Sequence, residues 1–296
     1  ERRRGEAGRA TVGIERGDDG DPGGESSEGE AEGLLVLHPS IFGAHRGSRW
    51  IPVLWTTMIQ TLDLRGTRPT RGELAALVPR AQVDVATASE AAGVLVAQVR
   101  ERGEAALLEQ AERFDGVRPV SIRVAADEIA EAVDGLAPAV RAALEEAIRR
   151  VRAASEAQVP PARITALGEG AEVLQRWQPV ARVGLYVPGG KAVYPSSVVM
   201  NVVPAQVAGA GSIVLASPAQ AASGGSVHPT ILGAAGLLGV DEVYAMGGAG
   251  AIAALAYGVP SLELDPVDLI TGPGNVFVAA AKRIVRGDVG IDAEAG

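Results

Sequence analysis

The part of this sequence best suited to chemistry is residues 183–211, where an apolar segment ends in Pro-Gly-Gly and a helix-like segment follows. Residues 183–187 are apolar and include β-branched and aromatic side chains, which is typical of a buried strand, and residues 188–190 cannot continue it. A strand, a glycine-rich turn and a helix start, in this order, leave free backbone N–H groups where an anion can bind. An ordinary βα turn has the same pattern, so these residues alone leave both interpretations open.

Two later turns repeat this arrangement. Residues 247–250 follow a predicted strand at 243–246, and residues 272–275 follow one at 268–271. Glycines in such turns let the backbone approach a ligand at the carboxyl edge of a parallel sheet. Neither turn matches the G-x-G-x-x-G fingerprint with an acidic residue about 20 positions further on. The pattern therefore predicts a nucleotide-sized ligand and specifies no reaction.

Strands and helices must alternate to position these turns, and after Gly168 they do so in units of roughly 25 to 30 residues. The predicted fold class is α/β, with Rossmann-like, mainly parallel sheet domains flanked by helices and a helical N-terminal region. In that helical region, Thr87-x-x-Glu90 is predicted to form a capping box, and residues 117–124 a short strand. The strands predicted in the second half are 173–180, 183–187, 212–216, 243–246, 268–271 and 289–292, and the helices are 197–208, 230–238, 251–257 and 276–286.

Composition and charge exclude several classes of function. A net charge of −9 offers no basic surface for a nucleic-acid backbone, and aromatic residues make up only 3%, too few for a base-stacking platform. Nucleic acid is therefore not expected as a partner. No apolar run reaches the roughly 18 residues of a membrane helix, so a membrane partner is not expected either. The lack of cysteine excludes disulfides and thiolate metal sites, and it is consistent with a cytoplasmic protein.

The N-terminal residues differ from the rest in composition. Residues 1–33 are charged, glycine-rich and nearly free of large apolar groups, so we expect them to be disordered. The chain begins at Glu1 and its first methionine is Met58. We expect residues 1–57 as a whole to be a disordered or spurious extension, with Met58 as the translation start.

Four longer strings resemble histidinol dehydrogenase: GLYVPGGKAVYPSSVVMNVVPAQVAGA, VYAMGGAGAIAALAYG, VDLITGPGNVFVAAAKRIV and GIDAEAG. Their order and spacing are specific, and the resemblance extends over residues 58–296. It implies an enzyme that oxidises L-histidinol to L-histidine with two NAD⁺ and a zinc ion, and that forms a homodimer. It also implies that residues 58–185 are the N-terminal part of a first α/β domain and residues 186–296 a second, nucleotide-binding α/β domain.

The resemblance places the cofactor-binding positions at Tyr186, Gly250 and Asn275. Tyr186 would offer a ring face and a hydroxyl to NAD, and Asn275 an amide. A core tyrosine with a satisfied hydroxyl and a helix-capping asparagine are the structural alternatives. The family has a glutamine at the position of Gly250, so we expect either weaker NAD binding here or a bridging water in place of the amide. If no water substitutes, Gly250→Gln is expected to increase the affinity.

The family's remaining functional residues follow the string DAEAG. Substrate contacts, zinc ligands and a Glu-His acid/base pair are all expected beyond Gly296. His38, His45 and His228 match none of these ligands, so no catalytic or metal-binding residue is expected within the chain. The sequence therefore predicts a histidinol dehydrogenase that is inactive as given, with a non-catalytic NAD-binding module as the alternative.

Overall fold

The computed structural model describes residues 63–77, 85–189 and 192–294. The chain divides into two compact units, Glu1–Pro69 and Thr70–Gly296. Residues 1–57, the predicted extension, lie outside the described residues, as does most of the first unit. The prediction that residues 1–33 are disordered therefore stays a prediction. The helices and strands of the described residues lie in the second unit.

Nine helices and seven strands are present in the described part of the second unit. In chain order they are α1 (Arg71–Leu77), α2 (Val85–Arg102), α3 (Glu104–Phe114), α4 (Ala126–Asp134), α5 (Pro138–Glu156), β1 (Arg163–Gly168), β2 (Ala171–Gln175), β3 (Arg182–Tyr186), α6 (Pro195–Val207), β4 (Ser212–Ser217), α7 (Pro229–Leu237), β5 (Glu242–Ala245), α8 (Gly248–Tyr257), β6 (Leu269–Thr271), α9 (Val276–Val285) and β7 (Gly290–Ile291).

A parallel sheet of five strands, in the order β5-β4-β3-β6-β7, forms the centre of this unit. From β3 the chain moves outward through β4 to β5, then returns to the other side of β3 and continues through β6 to β7. The strand order therefore reverses between β3 and β6. In open parallel sheets the crevice at such a reversal, outside the carboxyl ends of the strands, is where ligands bind.

Helices cover both faces of the sheet because its strands are apolar on both sides. Successive residues of a strand point to opposite faces. Val214 and Ala216 of β4 belong to the core beneath α8 and α9, and Leu215 belongs to the core beneath α6 and α7. The N-terminal helices are shared between the two faces: α2 and α3 pack on α8 and α9, and α4 and α5 pack on α6 and α7. The predicted α/β class with a parallel sheet flanked by helices is confirmed.

The strands and helices predicted from residue 183 onward are confirmed to within three residues at either end. The largest difference is at α8, which begins at Gly248, so Gly250 lies inside its first turn. The predicted domain boundary between 185 and 186 falls inside β3 and stays a prediction. Within the described ranges, no helix is long and apolar enough to cross a membrane.

The predicted strand at 117–124 is wrong. These residues make one antiparallel bridge, between Arg123 and Tyr244, and no strand. Two residues in the segment explain this, since Pro119 has no N–H to donate and Val120 is fully exposed. The segment therefore reaches the sheet edge only at its end.

The predicted strand at 173–180 is too long. Strand β2 ends at Gln175, and it pairs with β1 in an antiparallel hairpin that the sequence analysis did not predict. Both strands are exposed along their whole length, so neither shows the buried apolar pattern used to find the others. Pro179, which cannot donate to a ladder, lies beyond the end of β2.

The predicted capping box at Thr87 and Glu90 is also wrong, because both residues lie inside α2. A capping box occurs instead at the start of α1. There the backbone N–H of Thr70 donates to Oε2 of Glu73 at 2.8 Å, and the N–H of Glu73 donates to Oγ1 of Thr70 at 3.3 Å.

Candidate functional site

A cleft of about 620 Å³ opens at the carboxyl edge of the parallel sheet. Its volume lies within the range of about 300 to 1,000 Å³ that is usual for small-molecule sites. Its walls come from α2, α3 and the turns after β3, β4, β5 and β6. Among the lining residues are Leu95, Gln98, Gln110, Asp115, Tyr186, Pro218, Gly248, Asn275 and Phe277. The cleft thus lies at the strand reversal and brings Tyr186 and Asn275 to one cavity.

Tyr186 ends β3 and is only 4% exposed. Its hydroxyl oxygen accepts a hydrogen bond from the backbone N–H of Gly248 at 3.2 Å, which ties the end of β3 to the first turn of α8. Burial, more than any other influence, raises the pKa of this hydroxyl. Because the oxygen is the acceptor in that bond, the hydroxyl proton remains for an acceptor in the cleft.

Asn275 is the N-cap of α9. Its Oδ1 accepts from the backbone N–H groups of Phe277 at 3.0 Å and Val278 at 3.1 Å. The structure therefore gives Asn275 the capping role that the sequence left as one alternative. Capping uses only the amide oxygen, and no hydrogen bond from Nδ2 is found within the described residues. The amide can cap the helix and still donate to a ligand.

The turn that carries Asn275 is held by a buried lysine. The ammonium group of Lys282 donates to the carbonyl oxygen of Gly272 at 2.5 Å and to Oδ1 of Asp292 at 2.6 Å. The other carboxylate oxygen of Asp292 accepts from the N–H of Gly272 at 2.9 Å. Both backbone groups of Gly272 are thereby satisfied, which fixes the start of the turn beside the end of β3.

This arrangement occurs in a chain that matches a known family over most of its length. The family model described as histidinol dehydrogenase matches residues 78–296. The chain belongs to the histidinol dehydrogenase family.

Individual relatives agree with that assignment. A histidinol dehydrogenase from Leifsonia xyli is 68% identical over 238 residues, which are 80% of this chain and 55% of the relative. One from Nocardia farcinica is 60% identical over 79% of this chain and 54% of the relative. The crystal structure of histidinol dehydrogenase from Elizabethkingia anophelis, 30% identical, aligns with a TM-score of 0.69 over 77% of this chain and 52% of that one. The chain therefore spans about half the length of the histidinol dehydrogenases it matches.

Asp115 is a charged residue of the cleft that was not among the predicted site residues. It is the C-cap of α3. Burial raises the pKa of its carboxyl group to about 6, and its charge in turn contributes to the raised pKa of Tyr186. No local pattern in the sequence places Asp115 in the cleft, because its neighbours in the fold are far away in the chain.

Asp115 should make stability depend on pH. Its pKa is higher in the folded protein than the value of about 3.9 in an unfolded chain, so the folded state holds the proton more tightly. The stability that this contributes is present below about pH 4 and is lost as the pH rises through about 6. Relative to Asp115→Asn, the wild type should therefore gain stability between pH 8 and pH 5. Solvent screening of the partly exposed carboxyl limits the gain to about 1 kcal/mol. Urea unfolding of both proteins at the two pH values measures it, and parallel pH profiles would contradict the prediction.

Gly250 does not line the cleft. It is buried in the first turn of α8, and a Cβ atom placed on it would lie closer than 3.0 Å to Oε1 of Gln110 and 3.2 Å from Cδ2 of Leu107. The gain in NAD affinity expected from Gly250→Gln is untested. In the structure Gln110 occupies the space that the new side chain would enter, so its carboxamide would have to move first. Gln110 was not found from the sequence, since nothing there indicates that α3 packs against α8.

Zinc, which the resemblance to histidinol dehydrogenases implied, does not fit the described residues. Across those ranges, no group of three or more His, Asp or Glu side chains could hold a metal ion. His228 is the N-cap of α7, where its Nδ1 accepts from the N–H of Thr230 at 3.1 Å. His38 and His45 lie outside the described residues. No step of a reaction is therefore routed through a metal here.

Proposed function

We propose that the cleft binds NAD and that this chain supplies the cofactor site of a histidinol dehydrogenase. The observation that carries the proposal is the convergence of Tyr186 and Asn275 on one cavity at the strand reversal of a parallel sheet. Each residue has a hydrogen-bond donor that no contact among the described residues uses. A dinucleotide, with its phosphate, ribose and carboxamide oxygens, offers acceptors for both.

The groups around the cleft suit a dinucleotide in other ways. Helix α8 begins there, and the positive end of a helix dipole favours a phosphate. Phe277 is 41% exposed and gives the cleft an aromatic surface for a base or nicotinamide ring. Because burial keeps Tyr186 protonated, its hydroxyl acts as a donor and adds no negative charge beside an anionic ligand. NAD⁺, when bound, supplies the hydride acceptor for the oxidation of an alcohol.

The remaining parts of the proposed function depend on family membership alone. L-histidinol is the proposed substrate, L-histidine the product, a homodimer the proposed assembly and the cytoplasm the proposed location. A non-catalytic NAD-binding module is the second candidate, and the observation that favours it is that zinc does not fit the described residues. Assay of NADH production from L-histidinol and NAD⁺ separates the two, since only the enzyme forms NADH.

Substitutions at Asn275 and Tyr186 should weaken NAD binding without unfolding the protein. Asn275→Ser keeps a capping oxygen and loses the amide donor, so we expect affinity to fall about two- to ten-fold, the effect of one neutral hydrogen bond. Asn275→Asp also keeps the cap but places a carboxylate beside an anionic ligand, so its loss should be larger. Tyr186→Phe removes the hydroxyl donor, so NAD affinity should fall by about the same factor as in Asn275→Ser. Isothermal titration with NAD⁺ measures all three.

Tyr257→Phe is the matched control for Tyr186→Phe. Tyr257 also loses one hydrogen bond on this change, from its hydroxyl to Oδ2 of Asp288 at 3.0 Å, but it does not line the cleft. Its NAD affinity should equal that of the wild type. If Tyr186→Phe, Asn275→Ser and Asn275→Asp all titrate like the wild type, NAD does not bind at this site.

A further inference from the structure

The carboxamide of Gln110 is only half satisfied at the wall of the cleft. Its side chain projects from α3 and the residue is 8% exposed. Its Nε2 donates to the carbonyl oxygen of Leu95 in α2 at 3.1 Å. No hydrogen bond to its Oε1 is found within the described residues. Oε1 is not among the buried polar atoms that lack a partner in the described residues, so it is accessible at the cleft wall, where it can accept a hydrogen bond from a ligand.

The position of Oε1 depends on Gly250. The oxygen lies beside the first turn of α8, so near that a Cβ on Gly250 would approach it closer than 3.0 Å. A side chain at position 250 therefore requires the carboxamide of Gln110 to move. Because Gly250 has no side chain, there is space beside α8 for the carboxamide of Gln110, which extends from α3 on the other side of the cleft.

The fixed end of the amide determines what the open end can bind. Because Nε2 is held by Leu95, the group presented to the cleft is the carbonyl oxygen, which accepts hydrogen bonds and cannot donate them. Tyr186 and Asn275, by contrast, have donors left for the ligand. The three side chains thus make a site with donors on the sheet side and an acceptor on the α3 side.

We propose that Gln110 is a specificity-determining residue of the NAD site, whose Oε1 accepts a hydrogen bond from a hydroxyl or amino group of the bound dinucleotide. This rests on the proposed function of the cleft. Ribose hydroxyls, the adenine amino group and the nicotinamide carboxamide are all donors of this class. A nucleotide analogue that lacks the donor would lose this hydrogen bond, which is the physical basis of the specificity.

NAD titration of four variants tests the proposal. Gln110→Met keeps the length of the side chain and removes the amide, so affinity should fall about two- to ten-fold. Gly250→Gln alone should also weaken binding and lower the melting temperature, because two side chains then compete for one space. Adding Gln110→Ala to Gly250→Gln frees that space, so the double variant should regain both melting temperature and affinity relative to Gly250→Gln. Gln110→Asn, which withdraws the amide by one methylene, provides the same test if Gln110→Met does not fold.

The controls separate this inference from the proposed function. Wild-type affinity in a folded Gln110→Met or Gln110→Asn would show that the amide serves only to join α2 to α3, and would overturn the proposal while leaving the NAD site in place. If Gly250→Gln has the melting temperature and NAD affinity of the wild type, the claim that a side chain at position 250 competes with Gln110 for space is wrong. If the wild type itself does not bind NAD⁺, the proposed function fails and this proposal fails with it.

Discussion

Gly272→Ala is expected to destabilise the folded protein by about 3 kcal/mol or more. Gly272 has φ of 117°, in a region that side chains other than glycine rarely adopt, and such strain costs about 1 to 3 kcal/mol. A Cβ there would also lie closer than 3.0 Å to the carbonyl oxygen and carbonyl carbon of Tyr186, and overpacking of this kind adds about 1 to 3 kcal/mol. These are backbone atoms of β3, which pairs with strands on both sides, so they cannot swing away.

Gly287→Ala is the matched control for that substitution. Gly287 follows α9 in a turn, its φ is not in the left-handed region, and no atom lies within 4 Å of an added Cβ. Its free energy of unfolding should stay within about 0.5 kcal/mol of the wild type. Urea unfolding of the three proteins gives the comparison. If Gly272→Ala and Gly287→Ala are similarly stable, the backbone at the end of β3 can move to accommodate the added Cβ. The end of β3 then does not fix the turn before Asn275.

Most of the sheet could be predicted because its strands are buried on both faces. A strand such as β3 is then a continuous apolar run bounded by glycine and proline, which stands out in the sequence. The hairpin of β1 and β2 lacks this signal because it is exposed. For that reason β1 was not predicted, and β2 was predicted with the wrong ends. The order of the strands was also beyond the sequence. It depends on which strand each helix returns to, and no local pattern records that.

The candidate site divides in the same way. Tyr186 and Asn275 lie directly at strand ends, so glycine-rich turns and the family resemblance could locate them. Gln110 and Asp115 come from α3, some distance earlier in the chain, and they reach the cleft only because α3 packs on α8. Gly250 shows the limit of comparing single positions. The sequence predicted a missing contact there, whereas the structure shows another side chain in the space.

The ion pair of Lys282 and Asp292 should respond asymmetrically to substitution. The Lys282 side chain is 1% exposed and that of Asp292 is 36% exposed. Asp292→Ala leaves the buried ammonium group with the carbonyl oxygen of Gly272 as its one partner among the described residues. Removing one partner from a fully buried pair costs about 3 to 5 kcal/mol, and because Asp292 is partly exposed we expect a cost near the lower end of that range. Lys282→Met keeps the volume and removes the buried charge. Asp292 then still accepts from the N–H groups of Gly272 and Ala293 and still contacts water, so the cost should be about 1 to 3 kcal/mol.

The double variant Asp292→Ala/Lys282→Met provides the decisive measurement. It contains no unpaired buried charge, so it should be more stable than Asp292→Ala alone even though it carries one more substitution. Urea unfolding of the wild type, both single variants and the double variant at one pH completes a double-mutant cycle. Because the pair holds the turn that carries Asn275, NAD affinity should fall in Asp292→Ala even at temperatures where the variant is folded. Additive losses in the cycle would mean that the ammonium group finds water or another partner once Asp292 is gone, and that the charge of Asp292 is not what fixes the turn.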